Sequence, residues 1–478
     1  MRFDDLSARL PGSERRGRGD LDITSVAYDS RAVEPGALFC CVPGAVVDGH
    51  DFAAAAVDAG ASALLVERWL DRLGSVPQVL VPEARTAMAL AAAAVWGDPS
   101  HELTLVGVTG TNGKTTTTLL LQAIFTAAGQ RAEVRGTLSG ARTTPEAPDL
   151  QRWLRDQVDA GVEAVAMEVS SHALDLHRVD GTRFAVAAFT NLSRDHLDFH
   201  RTMQAYFEAK ARLFTPGLTE RAVVNLDDPY GRLLRDAATV PTTTYSLDDV
   251  RDLRVGAHRS SFAWRGHDVE LQIGGRFNVA NALAAAETAF ALGIDPAVVA
   301  RGLQAPVVVP GRFQAIDEGQ SFGVIVDFAH TPDALEQVLR AASEIAGGHR
   351  VHVVFGAGGD RDRTKRPAMG AVAAAEADRV VLTADNSRHE STRDIIGAVR
   401  EGYDRSDVTR ATELVVEEDR DVAIGVALAG AAPGDVVVIA GKGHERTQTI
   451  GDTVTPFDDV EVAGRHLRAL AGGPGAAP

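Results

Sequence analysis

A buried strand that runs into a glycine loop and then a helix constrains the centre of this chain more than any other feature. The strand is Leu103-Thr-Leu-Val-Gly-Val108, the loop is Gly110-Thr-Asn-Gly-Lys-Thr115, and the helix spans about 115–128, with Gly129 as its C-terminal stop. The amides of such a loop, backed by a helix N-terminus, form a site for phosphate. Gly110, Thr111, Asn112, Gly113, Lys114, Thr115 and Thr116 are therefore expected to cradle a nucleotide. Lys114 would reach the terminal phosphates, and the Thr115 hydroxyl would ligate Mg²⁺. The general spacing of these loops asks for glycine at 108, where this chain has Val108.

Similar alternation continues on both sides. Residues 1–98 hold short apolar runs at 25–28, 37–42, 63–66 and 78–81 and an alanine-rich helix at 53–59, and 97–100 is expected to be a linker. Residues 99–310 add strands at 164–169, 185–189 and 221–224. After Pro310-Gly311, strands at 323–326, 351–355, 379–383 and 436–440 alternate with helices at 332–346, 367–377 and 391–402, extending this last unit to 470. Strands alternating with helices predict parallel sheets covered on both faces. The fold class is α/β in three domains: a central P-loop-type mononucleotide-binding sheet, an N-terminal α/β domain, and a C-terminal Rossmann-like domain. The tail 471–478, rich in glycine and proline, is expected to be disordered.

A net charge of −17 argues against nucleic acid or an anionic membrane as partner. No apolar run of about 20 residues is present, which excludes a membrane-spanning helix. The N-terminus lacks the apolar stretch of a signal peptide, and a cytoplasmic location is expected. Cys40 and Cys41 lie adjacent in an apolar run and are expected in the core rather than in a disulfide.

Positive charge is carried almost wholly by arginine. Of 48 basic residues only four are lysine, Lys114, Lys210, Lys365 and Lys442, which leaves 48 − 4 = 44 arginines. Each of the four sits in or beside a glycine-rich or charge-rich segment. Lysine is a compact point charge whose amine can become neutral and react, which arginine cannot do. Lys210 falls inside the apolar stripe Met203, Tyr206, Phe207, Leu213 and Phe214 of a helix at 202–214. Burial would favour its neutral amine, able to capture CO₂ as a carbamate; alternatively the side chain snorkels to water. Glu168 is a lone acid near the C-terminal end of an apolar strand, where α/β sheets bind ligands, and is a candidate metal ligand. His196, in the polar segment Asn191-Leu-Ser-Arg-Asp-His-Leu-Asp-Phe-His200, is another. Asp385-Asn-Ser-Arg388 and Gly441-Lys-Gly-His-Glu445 each follow a strand of the last unit. There Arg361 and Arg388 would suit a carboxylate and Glu445 an ammonium, together a zwitterionic amino acid.

With these motifs the chain resembles the Mur ligases, ATP-dependent amide-forming enzymes of peptidoglycan precursor synthesis. The likeness covers about 25–470 and is greatest to the ligases that add the third amino acid to UDP-N-acetylmuramoyl-L-alanyl-D-glutamate. It rests on Tyr28-Asp-Ser-Arg31, on residues 109–116, on Met167-Glu-Val-Ser-Ser-His-Ala-Leu174, on Asp195–His200 followed by Ala205-Tyr-Phe-Glu-Ala-Lys210, on Arg276-Phe-Asn-Val-Ala-Asn281, and on Gly311-Arg-Phe313 with Asp327-Phe-Ala-His-Thr-Pro332. The resemblance implies that Asn278, Asn281, Arg312 and Asp327 contact ATP. It implies that Ser30, Thr143, Thr144, Ser170 and Arg178 contact the UDP-muramoyl-dipeptide, and that Arg361, Asn386, Arg388, Gly441 and Glu445 contact the incoming amino acid. It further implies two Mg²⁺ ions held by Thr115, Glu168, His196 and an N6-carboxylysine at Lys210, and a monomer. The sequence departs from the family in three places. Ser387 stands where a diaminopimelate-selecting signature has proline, the segment 136–145 is short, and Phe313 and Phe328 replace a methionine and a tyrosine.

The implied reaction transfers the γ-phosphoryl of ATP to the D-glutamate side-chain carboxylate, after which an amine displaces phosphate to form an amide. The implied amino acid is meso-2,6-diaminopimelate, since Arg388 is kept. Alternatives are the same ligation with L-lysine or another amino acid, a ligase resembling folylpolyglutamate synthetase, and a P-loop nucleotide switch without ligase activity.

Overall fold

The computed structural model describes residues 1–44, 46–140 and 142–471. Of the tail expected at 471–478, Ala471 instead ends the helix Asp459–Ala471, and 472–478 lie outside the described residues. Among the described residues there are four sheets and one hairpin. In the first unit, Gln78–Leu80, Ala63–Val66, Ala37–Cys40 and Ser25–Ala27 run parallel in that order, and Glu14–Arg16 adds an antiparallel edge. Cys40 and Cys41 are free and fully buried there. Within the expected linker at 97–100, Asp98 at φ +52° leads into the short helix Pro99–His101.

The central sheet has six parallel strands in the order Thr242–Tyr245, Ala222–Asn225, Val186–Phe189, Thr104–Thr109, Ala164–Glu168, Ala132–Arg135. Alternate side chains of the Thr104–Thr109 strand enter two separate cores. Val106 and Val108 meet the helices Lys114–Ala127 and Arg276–Ala291, while Leu105 meets the helix Ala147–Asp159 and the segment around Tyr206, Leu213 and Phe214. Val108, where loops of this kind carry glycine, is therefore a core residue.

The helix Lys114–Ala127 begins with four threonines after Lys114, Thr115 to Thr118, which cost up to about 0.7 kcal/mol each relative to alanine. Its other end buries Leu120, Leu121, Ile124 and Phe125 completely, worth about 1.5–3 kcal/mol each. Packing thus outweighs propensity and frees the first turn for threonine hydroxyls.

A three-stranded antiparallel sheet, Arg251–Val255, Ser260–Trp264 and His267–Leu271, follows the central sheet within the same unit. In the C-terminal unit, Gly323–Asp327, Val436–Ala440, Val351–Phe355, Arg379–Leu382 and Glu413–Val416 run parallel, with Gln314–Ala315 as an antiparallel edge. The strand ends that carry Asp385 and Gly441 are tied by a buried ion pair. Arg420 forms a two-point bridge to Asp459 at 2.7 and 2.8 Å and donates to the carbonyls of Ala384 at 3.2 Å and Ala440 at 2.9 Å, and both side chains are fully buried. Arg420→Ala leaves Asp459 buried without a counter-charge, and an expected loss of about 3–5 kcal/mol should appear in denaturant unfolding. A loss below about 1 kcal/mol, the usual value of an exposed pair, would contradict this.

Among the described residues no helix is long and apolar enough to cross a membrane.

Candidate functional site

The C-terminal ends of the central and C-terminal sheets face a common cleft enclosing about 380 Å³. Gly110 to Thr116 form its floor. Gly113 has φ +87°, and a Cβ there would collide with Asn281, so this position both needs the left-handed region and meets the neighbouring helix closely. The Lys114 ammonium folds over the loop and donates to the carbonyls of Gly110 at 2.9 Å and Thr111 at 2.8 Å. Burial lowers its pKa, while Glu168 opposes that shift.

Glu168 ends its strand with 1% of its surface exposed. Its carboxylate accepts from the Thr115 hydroxyl at 2.9 Å and from the Thr137 amide and hydroxyl at 2.9 and 3.1 Å. Among the described residues no cation lies within salt-bridge distance of it; its donors are all neutral. A buried carboxylate so placed fits a cation arriving with the ligand. Among the described residues no group of three or more His, Cys, Asp and Glu side chains forms a ready-made metal cage. That donor set suits Mg²⁺, which commonly takes one or two carboxylates and completes its shell with phosphate oxygens and water.

Lys210 does not snorkel. The helix Met203–Ala211, capped by Thr202, buries it to 1% exposure beside Tyr206. Its Nζ donates to the Gly110 carbonyl at 2.9 Å, the same oxygen that Lys114 holds, and lies 4.7 Å from the centre of the Tyr206 ring. Burial, and then the nearby Lys114 ammonium, hold its amine well below the usual lysine range.

His196 has φ +53° and projects into the cleft mouth, with 44% of its side chain reached by water. Surrounding protein still desolvates the ring enough to lower its pKa to about 4, so it is neutral near pH 7 and able to ligate a metal. It packs edge-on against His172 at 4.7 Å.

Thr143 and Ser170 line the cleft; Thr144 and Arg178 stand behind them. The Thr144 hydroxyl donates to the Glu168 carbonyl at 2.9 Å and accepts from the Ser170 amide at 3.1 Å. Arg178 pairs with Glu146 at 2.7 Å and donates to the Thr144 carbonyl at 3.3 Å. Ser30 opens the short helix Ser30–Ala32 of the first unit and does not line this cleft.

Asn278, Asn281 and Asp327 line an adjoining pocket with Asn112, Gly113, Arg312 and Phe328. Asp327, expected to meet ATP, spends both carboxylate oxygens on backbone amides, those of Phe313 and Ala329, each at 2.7 Å. It therefore shapes the Arg312 loop. Phe313 is buried at φ +47° and packs edge-on against Phe277 at 5.1 Å, so this departure from the family is a packing residue. The Arg312 guanidinium lies 4.5 Å over the Phe328 ring.

Arg361, Asn386, Arg388, Gly441 and Glu445 line the wall opposite the phosphate loop. Arg388 sits at φ +48° and donates to the Gly359 carbonyl at 2.7 Å. Its backbone is gripped by the hairpin strand Thr447–Ile450: its amide donates to Thr449 at 3.0 Å, and Gly451 donates to its carbonyl at 2.7 Å. Ser387, at the proline position, is buried, and its hydroxyl lies 2.7 Å from that of Thr392. A side-chain hydrogen bond thus restrains the loop where a ring would.

Sequence reasoning did not assign Thr137, which no motif marked, or Arg194, whose guanidinium crosses the cleft to the Thr364 hydroxyl at 2.8 Å. Lys365, conspicuous only as one of four lysines, faces the cleft with Asp195 and Asp385 nearby.

Comparison with known proteins places each unit. Residues 22–96 match the Mur ligase family catalytic domain, 108–289 the Mur ligase middle domain, and 311–443 the Mur ligase glutamate ligase domain. The chain is 44% identical to the UDP-N-acetylmuramoyl-L-alanyl-D-glutamate–2,6-diaminopimelate ligase of Geobacillus thermodenitrificans, covering 97% of this chain and 98% of that protein. It is 43% identical to the same-named ligase of Geobacter metallireducens, covering 98% and 99%. A solved structure of a UDP-N-acetylmuramoyl-L-alanyl-D-glutamate–2,6-diaminopimelate ligase superposes with a TM-score of 0.70 at 33% identity, over 98% of this chain and 99% of that one. With all three units matched in order and relatives aligned along their full length, the chain belongs to the Mur ligase family of ATP-dependent ligases.

Proposed function

We propose that this ligase joins meso-2,6-diaminopimelate to UDP-N-acetylmuramoyl-L-alanyl-D-glutamate at the cost of one ATP. The observation that carries this reading is the arrangement of the cleft, with a phosphate loop on one side and two arginines and a glutamate on the other. Lys114 and the loop amides hold the transferring phosphoryl group and balance its charge. Arg178, Ser170, Thr143 and Thr144, with Ser30 in the first unit, position the muramoyl-peptide. Its side-chain carboxylate attacks the γ-phosphorus, and ADP leaves. The amine of the second substrate attacks the resulting acyl phosphate, loses a proton, and expels phosphate. Arg361 and Arg388 hold its distal carboxylate and Glu445 its distal ammonium, with Asn386 and Gly441 closing the pocket.

Two Mg²⁺ ions fit Thr115, Glu168, His196 and Lys210; bound there, they would neutralise charge on the phosphates. For Lys210 the fit requires a carbamate, made when its neutral amine adds CO₂ and releases a proton. A cytoplasmic location and a monomeric state belong to the same proposal.

The test is a panel of amino acids, read as nucleotide-linked product by mass. Diaminopimelate should give the highest kcat/KM; a preference for L-lysine would overturn the substrate assignment. Arg388→Ala removes one partner of the charge-assisted pair that this reading places on the substrate carboxylate, worth about 2–5 kcal/mol once closed off from water. KM for diaminopimelate should rise by about one and a half to four decades, with KM for ATP little changed. An unchanged KM for diaminopimelate would contradict the role of Arg388.

A further inference from the structure

Three of the four lysines line the cleft, and the fourth does not. Lys442 has no exposed side-chain surface, and nothing in the reaction above uses it. Its ammonium meets three acceptors: the Thr447 carbonyl at 2.6 Å, Asn386 Oδ1 at 3.2 Å and Glu445 Oε2 at 3.4 Å. Three protons and three acceptors leave it no capacity for a ligand.

Its neighbours are the residues that read the incoming amino acid. Asn386 Oδ1 also accepts from the Thr449 amide at 2.9 Å, which turns Asn386 Nδ2 onto Glu445 Oε2 at 2.6 Å. One oxygen of Glu445 is thereby pinned from behind, while the residue faces the cleft and keeps 35% of its side chain exposed. Thr447 and Thr449 belong to the strand whose carbonyl at Thr449 fixes the Arg388 amide. The loop after Arg379–Leu382, the loop after Val436–Ala440 and the hairpin therefore converge on one buried charge.

Resting on the diaminopimelate reading above, we propose that Lys442 is a positioning residue for amino-acid selection, holding Asn386 and Glu445 in the orientation that receives the distal ammonium of the substrate. Arginine cannot replace it, because a planar guanidinium does not point three donors from one centre and is too large for a site with no exposed surface. This accounts for lysine at 442 in a chain with 44 arginines, by the subtraction 48 − 4.

The experiment compares diaminopimelate with 2-aminopimelate, which lacks the distal amine, on the full-length enzyme. In Lys442→Met, KM for diaminopimelate should rise about tenfold or more, while KM for 2-aminopimelate, ATP and the UDP-muramoyl-dipeptide stays within about twofold. Lys442→Arg should behave like the methionine variant. In a Glu445→Gln background, adding Lys442→Met should change KM for diaminopimelate by less than about twofold, since the two act through one contact. An equal rise for both amino acids, an unchanged KM for diaminopimelate, or additive losses in the double variant would each overturn the proposal. Lys442→Gln, which keeps a donor toward Thr447, replaces the methionine variant if that one is insoluble. If the wild type prefers another diamino acid, the substrate assignment falls, and the Lys442 comparison is made with that compound and its mono-amino counterpart.

Discussion

Lys210→Ala should be nearly inactive, and a short carboxylate such as formate or acetate should partly restore it. The lysine is buried at 1% exposure, its amine is held toward the neutral form, and it touches the phosphate loop at Gly110. As a carbamate it would supply oxygens to a metal, and losing such a ligand removes several kcal/mol of charge stabilisation, about a 10³-fold loss or more. Free carboxylate offers those oxygens again. Lys210→Arg should remain inactive at any bicarbonate concentration, because its guanidinium does not become neutral. Full activity of Lys210→Arg would remove the carbamate from the mechanism. So would an intact mass without added CO₂ in active enzyme bound to Mg²⁺ and nucleotide.

Lys114→Arg should lose turnover by about 10²–10³-fold even though charge is conserved. The ammonium is held at 2.8–2.9 Å from two loop carbonyls, with the Glu168 strand end close enough to influence its pKa. A guanidinium is wider than that space and would occupy part of the phosphate site. Steady-state phosphate release measures the loss; near wild-type release would place the phosphates elsewhere.

Much of the architecture was legible because its strands are continuous apolar runs. Val351–Phe355, Val436–Ala440 and the helix Pro332–Ala346 fall where the pattern put them, since both sheet faces are covered and every residue of those strands is buried. Other elements carry no such signal. Arg251–Val255 is charged and largely exposed, and the hairpin strand Thr453–Pro456 is exposed throughout, so pairing alone makes them strands. Yet that hairpin fixes Arg388. Burial of Lys210 was equally beyond spacing. The apolar stripe allowed either a buried or a snorkelling amine, and the choice was made by the Gly110 carbonyl, 100 residues away in sequence. Ser387 shows the converse: without the proline ring φ is free at this position, and a partner at Thr392 restores the restraint. The motifs converge on one cleft; the contacts that hold its side chains are long-range and were not written in any local pattern.

The most direct test of this chemistry follows oxygen. The enzyme is given ATP, diaminopimelate and UDP-N-acetylmuramoyl-L-alanyl-D-glutamate whose D-glutamate side-chain carboxylate carries ¹⁸O. Acyl phosphate chemistry requires that one labelled oxygen leave with each phosphate made in amide formation and that no phosphate appear without the UDP-muramoyl-dipeptide. Unlabelled phosphate, or release that needs neither peptide nor amino acid, would contradict it.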